Sequence, residues 1–228
     1  MDFSQLYILP ILLFSVVVHE LSHGWMALRL GDTTARDMGR LTLNPIPHID
    51  PIGSILVPLM SILFTGRVFI AWAKPVPVNP FNFSNYRRDD LLVSIVGPLS
   101  NIFMAFVCTI IYIIIARFVP ESYLRSPFGE SSSVTNNAFD YLLLMFGGGI
   151  MMNVGLAVFN LIPVPPLDGS HVLATFLPDH VADRYQSIGF YGIFAIILLM
   201  NFHPFASVIM TIIYTLTFPF QLMIHIFA

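Results

Sequence analysis

Two histidines and a carboxylate fall within five residues, His19-Glu20-Leu21-Ser22-His23, in an otherwise apolar stretch. Ionisable side chains in hydrocarbon are costly and persist where chemistry or a partner requires them. On a helix, positions i and i+4 share a face, so His19 and His23 offer two imidazole nitrogens to one metal ion. Glu20 stands beside that pair, where a carboxylate takes a proton from a water that the metal activates. The spacing predicts a hydrolytic metal site inside a membrane helix. Zinc is the ion that best suits such donors, with iron or cobalt as lesser fits.

The surrounding composition sets the class. Hydrophobic residues make up 56% of the chain and charged residues 10%, and mean hydropathy is +0.80, far from a soluble domain. The net charge of -3 says little about partners, and no Lys/Arg cluster points to nucleic acid, so none is expected as a partner. The single cysteine, Cys108, excludes an internal disulfide framework and a cysteine-based zinc site.

A membrane helix needs about 20 apolar residues. Residues 6–30, 91–119, 139–161 and 205–227 meet that length, and 188–202 is a shorter fifth candidate. The first span has no basic leader region, and removing it would destroy the metal motif, so it is expected to be retained. Residues 52–64 are apolar but too short and are broken by Gly53 and Pro58, which predicts a re-entrant segment. Residues 67–80 are β-branched, aromatic and proline-punctuated, and read as extended chain or a short hairpin. Part of it, residues 69–78, is a candidate edge for pairing with an unwound substrate. The expected fold is an all-α polytopic membrane protein of five to six transmembrane helices, one domain over residues 1–228.

Charge placement orients these spans. Arg29, Arg36, Arg40, Arg67, Lys74, Arg87 and Arg88 lie between the first and second, and Arg184 between the third and fourth. Only Arg117 and Arg125 lie between the second and third. The positive-inside rule then puts residues 31–90 and 162–187 in the cytoplasm and the N-terminus outside, with five crossings. His23 falls about 10 Å from the cytoplasmic end of its span, at 1.5 Å per residue.

A catalytic zinc takes three protein ligands and leaves one position open. The third should lie on the same side and at the same depth. Asp168, in Asn160-Leu-Ile-Pro163-Val-Pro165-Pro166-Leu-Asp168-Gly169, follows the third crossing back to that side. Its prolines break the helix, and irregular backbone at membrane depth requires a protein or water lining. Asp168 is preferred to His171, three residues on. His48 and Asp50 read as turn chemistry before Pro51.

These elements together resemble the site-2 protease family of intramembrane zinc metalloproteases. The resemblance rests on His19 to His23, on Gly97-Pro98-Leu99-Ser100-Asn101, and on Asn160…Pro163…Leu167-Asp168-Gly169. It is to the compact form, without a PDZ-type or nucleotide-sensing module, and implies one Zn2+ per chain held by His19, His23 and Asp168. It also implies Glu20 as general base, Asn160 as a contact to the substrate backbone, and a transmembrane protein as substrate. Asn101 is a second candidate substrate contact; both asparagines otherwise read as interhelical hydrogen-bond formers. The expected setting is a prokaryotic cell membrane with the active site in its cytoplasmic half. An intramembrane metal transporter and a catalytically inactive relative are the competing readings. Transport calls for polar sites strung across the bilayer and has no use for Glu20 beside the metal, and the intact His-Glu-x-x-His argues against an inactive relative.

Overall fold

In hydrocarbon a segment must satisfy its own N–H and C=O groups, and the apolar stretches accordingly fold as helices. The computed structural model describes residues 7–56, 73–118 and 138–228. Its α-helices, in chain order, are α1 Leu9–Arg29, α2 Thr34–Asp37, α3 Tyr86–Arg117, α4 Ala138–Asn160, α5 Asp168–Ala174, α6 Asp179–Gln186, α7 Gly192–Asn201 and α8 His203–Phe227. No strand occurs among the described residues. Four of these helices, α1, α3, α4 and α8, are long and apolar enough to cross a membrane.

At the place of the expected fifth span stands α7, whose 10 residues reach about 15 Å, half of a hydrocarbon core about 30 Å thick. Of the expected re-entrant stretch at 52–64, residues 57–64 lie outside the described residues, as do 67–72 of the expected hairpin.

Burial patterns show how the long helices face one another. In α1, Ile11, Ser15, His19, His23 and Ala27 are buried, a stripe repeating every fourth residue, while Leu9, Leu13 and Phe14 point outward. The partner of that stripe is α3, which packs against α1, α4, α5 and α8. Buried Gly97, Asn101, Ala105, Cys108, Tyr112 and Ala116 line its inner face, and exposed Leu99, Phe103, Ile110 and Ile114 its lipid face. Small residues set the spacing, as membrane helices require. At Gly149 of α4, a Cβ would stand 3.1 Å from Ile11 and 3.2 Å from the Cys108 sulfur, so three helices meet there. An apolar crevice of about 280 Å³ separates α3 and α4 from α8, lined by Pro98, Leu99, Leu161, Leu216, Pro219 and Phe220.

The end of α1 carries a cation–aromatic pair. The Arg29 guanidinium lies 3.8 Å over the Trp25 ring. Beyond it, residues 73–79 form an extended strap with no helix or strand bonding of its own. Lys74 N–H donates to the His48 carbonyl at 2.9 Å, and Arg40 donates to the Lys74 and Pro75 carbonyls at 2.8 and 3.2 Å. Asp32, fully enclosed, accepts from Asn79 N–H, Asn82 Nδ2, Thr34 N–H and the Thr34 hydroxyl. Burial pushes its pKa up, but these donors outweigh that and hold the carboxyl below the usual aspartate value.

Candidate metal centre

The i and i+4 spacing on α1 brings the two imidazoles together, Nε2 to Nε2 at 3.1 Å. Asp168 Oδ2 completes a triangle, 3.3 Å from His19 Nε2 and 3.4 Å from His23 Nε2. Donors bound tetrahedrally at about 2.0–2.1 Å from zinc stand about 3.3–3.4 Å apart, so the triangle has the edges such an ion requires. The three side chains form a group of metal-binding type, with both histidines buried. Asp168 Oδ2 itself is buried with no hydrogen-bond donor. Three such atoms converging on one point repel one another unless a proton or a cation lies between them, and the edges of the triangle suit a cation. The residues fit zinc.

Protonation at His23 is fixed by its other nitrogen. Nδ1 lies 2.7 Å from the Val93 carbonyl, which can only accept, so Nδ1 carries the proton and Nε2 is free as a ligand. Pro98 has no N–H to return to Ser94, which loosens the α3 ladder beside that carbonyl. The imidazoles lie directly on the α3 backbone at Gly97. A Cβ there would overlap His23 Nε2 and stand 2.7 Å from His19 Cε1. Asn101, one turn on and 1% exposed, places its amide 3.2 Å from His19 Nδ1.

Asp168 was expected in the irregular loop and is instead the first residue of α5, at the end of the proline-rich turn. Gly169 makes that placement possible, because a Cβ there would overlap the Leu161 carbonyl at the end of α4. Helix α5 also carries His171, which does not join the triangle. Its Nδ1 pairs with Asp90 of α3 at 3.0 Å, and that bond raises its pKa above the ordinary imidazole value against the lowering from burial. The pair fastens α5 to α3.

Glu20 lies one residue from His19, and its Oε2 accepts from the Val76 N–H at 2.7 Å. The strap is therefore tied to the carboxylate beside the donor triangle. The backbone groups of Lys74, Pro75 and Val76 that an added strand would use are bonded to His48, Arg40 and Glu20. Asn160 closes α4, half-buried, with no side-chain hydrogen bond among the described residues. Asp50 caps a turn by accepting from Ile52 and Gly53 N–H, and His48 Nε2 lies 3.0 Å from the Thr42 carbonyl. Both are turn and anchor residues away from the triangle. The roles of Val93, Val76 and Arg40 left no trace in the sequence reading, because backbone partners have no residue signature.

Comparisons with known proteins cover most of the chain. The profile described as "Peptidase family M50" matches residues 7–200. Over 204 residues the chain is 35% identical to "Putative zinc metalloprotease YwhC" of Bacillus subtilis (strain 168), covering 90% of this chain and 84% of that protein. It is 24% identical over 192 residues to "Putative zinc metalloprotease Rip2" of Mycolicibacterium smegmatis, covering 82% and 64%. With Rip2 of Mycobacterium tuberculosis (strain ATCC 25618 / H37Rv) it shares 27% over 169 residues, covering 72% and 55%. No solved structure matches. A family match over most of the chain, added to apolar helices that close around a zinc-fitting donor triangle, decides the matter: the chain belongs to peptidase family M50, the site-2 proteases, and is an intramembrane zinc metalloprotease.

Proposed function

We propose that this protease hydrolyses peptide bonds in or near the transmembrane segments of membrane-anchored proteins, using one zinc per chain held by His19, His23 and Asp168. The observation that carries this reading is the donor triangle with Glu20 next to it, set among helices with lipid-facing outer surfaces. When bound, the ion supplies Lewis acidity, polarising the scissile carbonyl and making the attacking water more acidic. Glu20 takes the water proton and delivers it to the departing amine. Asn160, at the mouth of the Asp168 loop with a free amide, holds the substrate backbone. A substrate helix has its amides already paired, so it must unwind locally before it is cut, and helix-weakening residues near the bond favour cleavage.

The chain is a multi-pass protein of a prokaryotic cell membrane in this reading, with the N-terminus outside and the site in the cytoplasmic half. Supporting it are the excess of Arg and Lys between the first two spans and the Trp25–Arg29 pair between His23 and the end of α1. The enzymatic reading is tested with a co-expressed membrane-anchored reporter. Wild type and Glu20→Gln should hold equal zinc, with cleavage only by wild type. Cleavage by Glu20→Gln at the wild-type rate would refute the role given to Glu20, and no cleavage by either would refute the activity on that reporter.

A further inference from the structure

We propose that Asn101 is a positioning residue for the metal site: its amide oxygen accepts from the His19 Nδ1–H and so points the His19 Nε2 lone pair into the donor triangle. The inference rests on the zinc reading above and gives Asn101 a task other than contacting substrate.

His19 Nε2 lies 3.1 Å from His23 Nε2 and 3.3 Å from Asp168 Oδ2, so it is the ligand atom. A neutral imidazole carries one proton, and a ligating Nε2 must leave it on Nδ1. The group facing Nδ1 is the Asn101 amide at 3.2 Å, drawn with Nδ2 toward the ring and Oδ1 buried without a partner. In that orientation both groups are donors as soon as Nε2 binds a cation, and they repel. Turning the amide by half a rotation puts Oδ1 against Nδ1–H, and amide nitrogen and oxygen are assigned from the bonding network. Nothing bonds Oδ1 at the outer end to hold the amide against that turn, so the choice is made at His19. It matches the second histidine, where the Val93 carbonyl performs the same task for His23. One histidine is thus oriented by backbone, which mutation cannot remove, and the other by a replaceable side chain.

The two donor senses separate by substitution in the full chain purified in detergent. Asn101→Leu keeps the volume and removes the acceptor, whereas Asn101→Asp is acceptor-only. Zinc content and zinc retention against a competing chelator are measured for each, with the ligand-field spectrum of the cobalt-loaded protein as a second readout. Asn101→Leu should bind zinc about 10- to 100-fold more weakly, the usual cost of losing an outer partner of a ligand. Asn101→Asp should retain near wild-type affinity and a wild-type cobalt spectrum. Unchanged zinc affinity in Asn101→Leu overturns the proposal and returns Asn101 to substrate contact or helix packing. Equal loss in folded Asn101→Leu and Asn101→Asp overturns it too. If the buried aspartate prevents folding, Asn101→Thr, whose hydroxyl can accept, takes its place with the same two outcomes. A wild type that binds no zinc would defeat the zinc reading itself, a failure distinct from these.

Discussion

The Val76 N–H donates to Glu20 Oε2 at 2.7 Å, joining the carboxylate beside the metal site to a strap 56 residues further along the chain. Pro75 and Pro77 flank Val76, so within that triplet Val76 alone has a backbone proton to give. Arg40, 8% exposed, holds the two preceding carbonyls and keeps the strap in register. In the role proposed for it as base, Glu20 needs an orientation, and that comes from a segment outside its own helix.

Val76→Pro removes that single proton without adding charge. Zinc content should be unchanged, while reporter cleavage falls about 10- to 100-fold, the scale expected for a misplaced catalytic group. Val76→Ala, which keeps the N–H, should retain most of the activity. A fully active Val76→Pro protein would show that Glu20 works without the strap.

Gly97 and Gly155 make a matched pair of helix glycines. A Cβ at Gly97 overlaps the His23 ring, whereas at Gly155 its nearest neighbour is Ile213 Cδ1 at 4.0 Å. Gly97→Ala should abolish zinc retention and cleavage together, and Gly155→Ala should be neutral or slightly stabilising in thermal unfolding. Normal zinc binding by Gly97→Ala would contradict the seating of the imidazoles on α3.

Asp168 and His171 share one face of α5 but differ in kind. Asp168→Asn should lose zinc, because the ligand charge is gone. His171→Asn should keep the wild-type zinc content and lose only the tie to Asp90, seen as earlier proteolysis of residues 162–190. Zinc loss in His171→Asn would show that the tie to Asp90 is needed to hold Asp168 in the triangle.

The enclosed Asp32 predicts a response to acid. A carboxyl with a lowered native pKa stabilises the fold above the unfolded-state value of about 3.9, and that contribution fades as pH falls through the native value. Asp32→Asn should destabilise by about 2 kcal/mol through lost charge-assisted bonds, and should flatten the acid limb of a thermal-melt series. An unchanged acid limb would remove Asp32 as its source.

Much of this was legible in the residues. The expected spans 91–119 and 139–161 coincide with most of α3 and α4, because apolar length alone dictates them. The start of α3 was missed, since Tyr86 to Asp90 is charged and polar, yet Asn85 signals it by accepting from the Arg88 N–H as an N-cap. His19, His23 and Asp168 were legible through spacing and sidedness. The Asp90–His171 pair was not, because a partner 81 residues away has no local signature. Residues 188–202 were expected as a short fifth crossing, and α7 takes only 10 of them because the chain turns at Gly189, φ +50°, before the helix begins.

The hydrogen atom that stands in place of a side chain at Gly97 has a mechanical consequence. It lets α1 and α3 close until His23 reaches Val93 and His19 reaches Asn101 in one seam. Parting those two helices would strip both imidazoles of their outer partners at once and dismantle the metal site. The seam between α1 and α3 is thus a structural part of the donor triangle. The apolar crevice lies on another side, between α3, α4 and α8, the last being the least enclosed of the long helices.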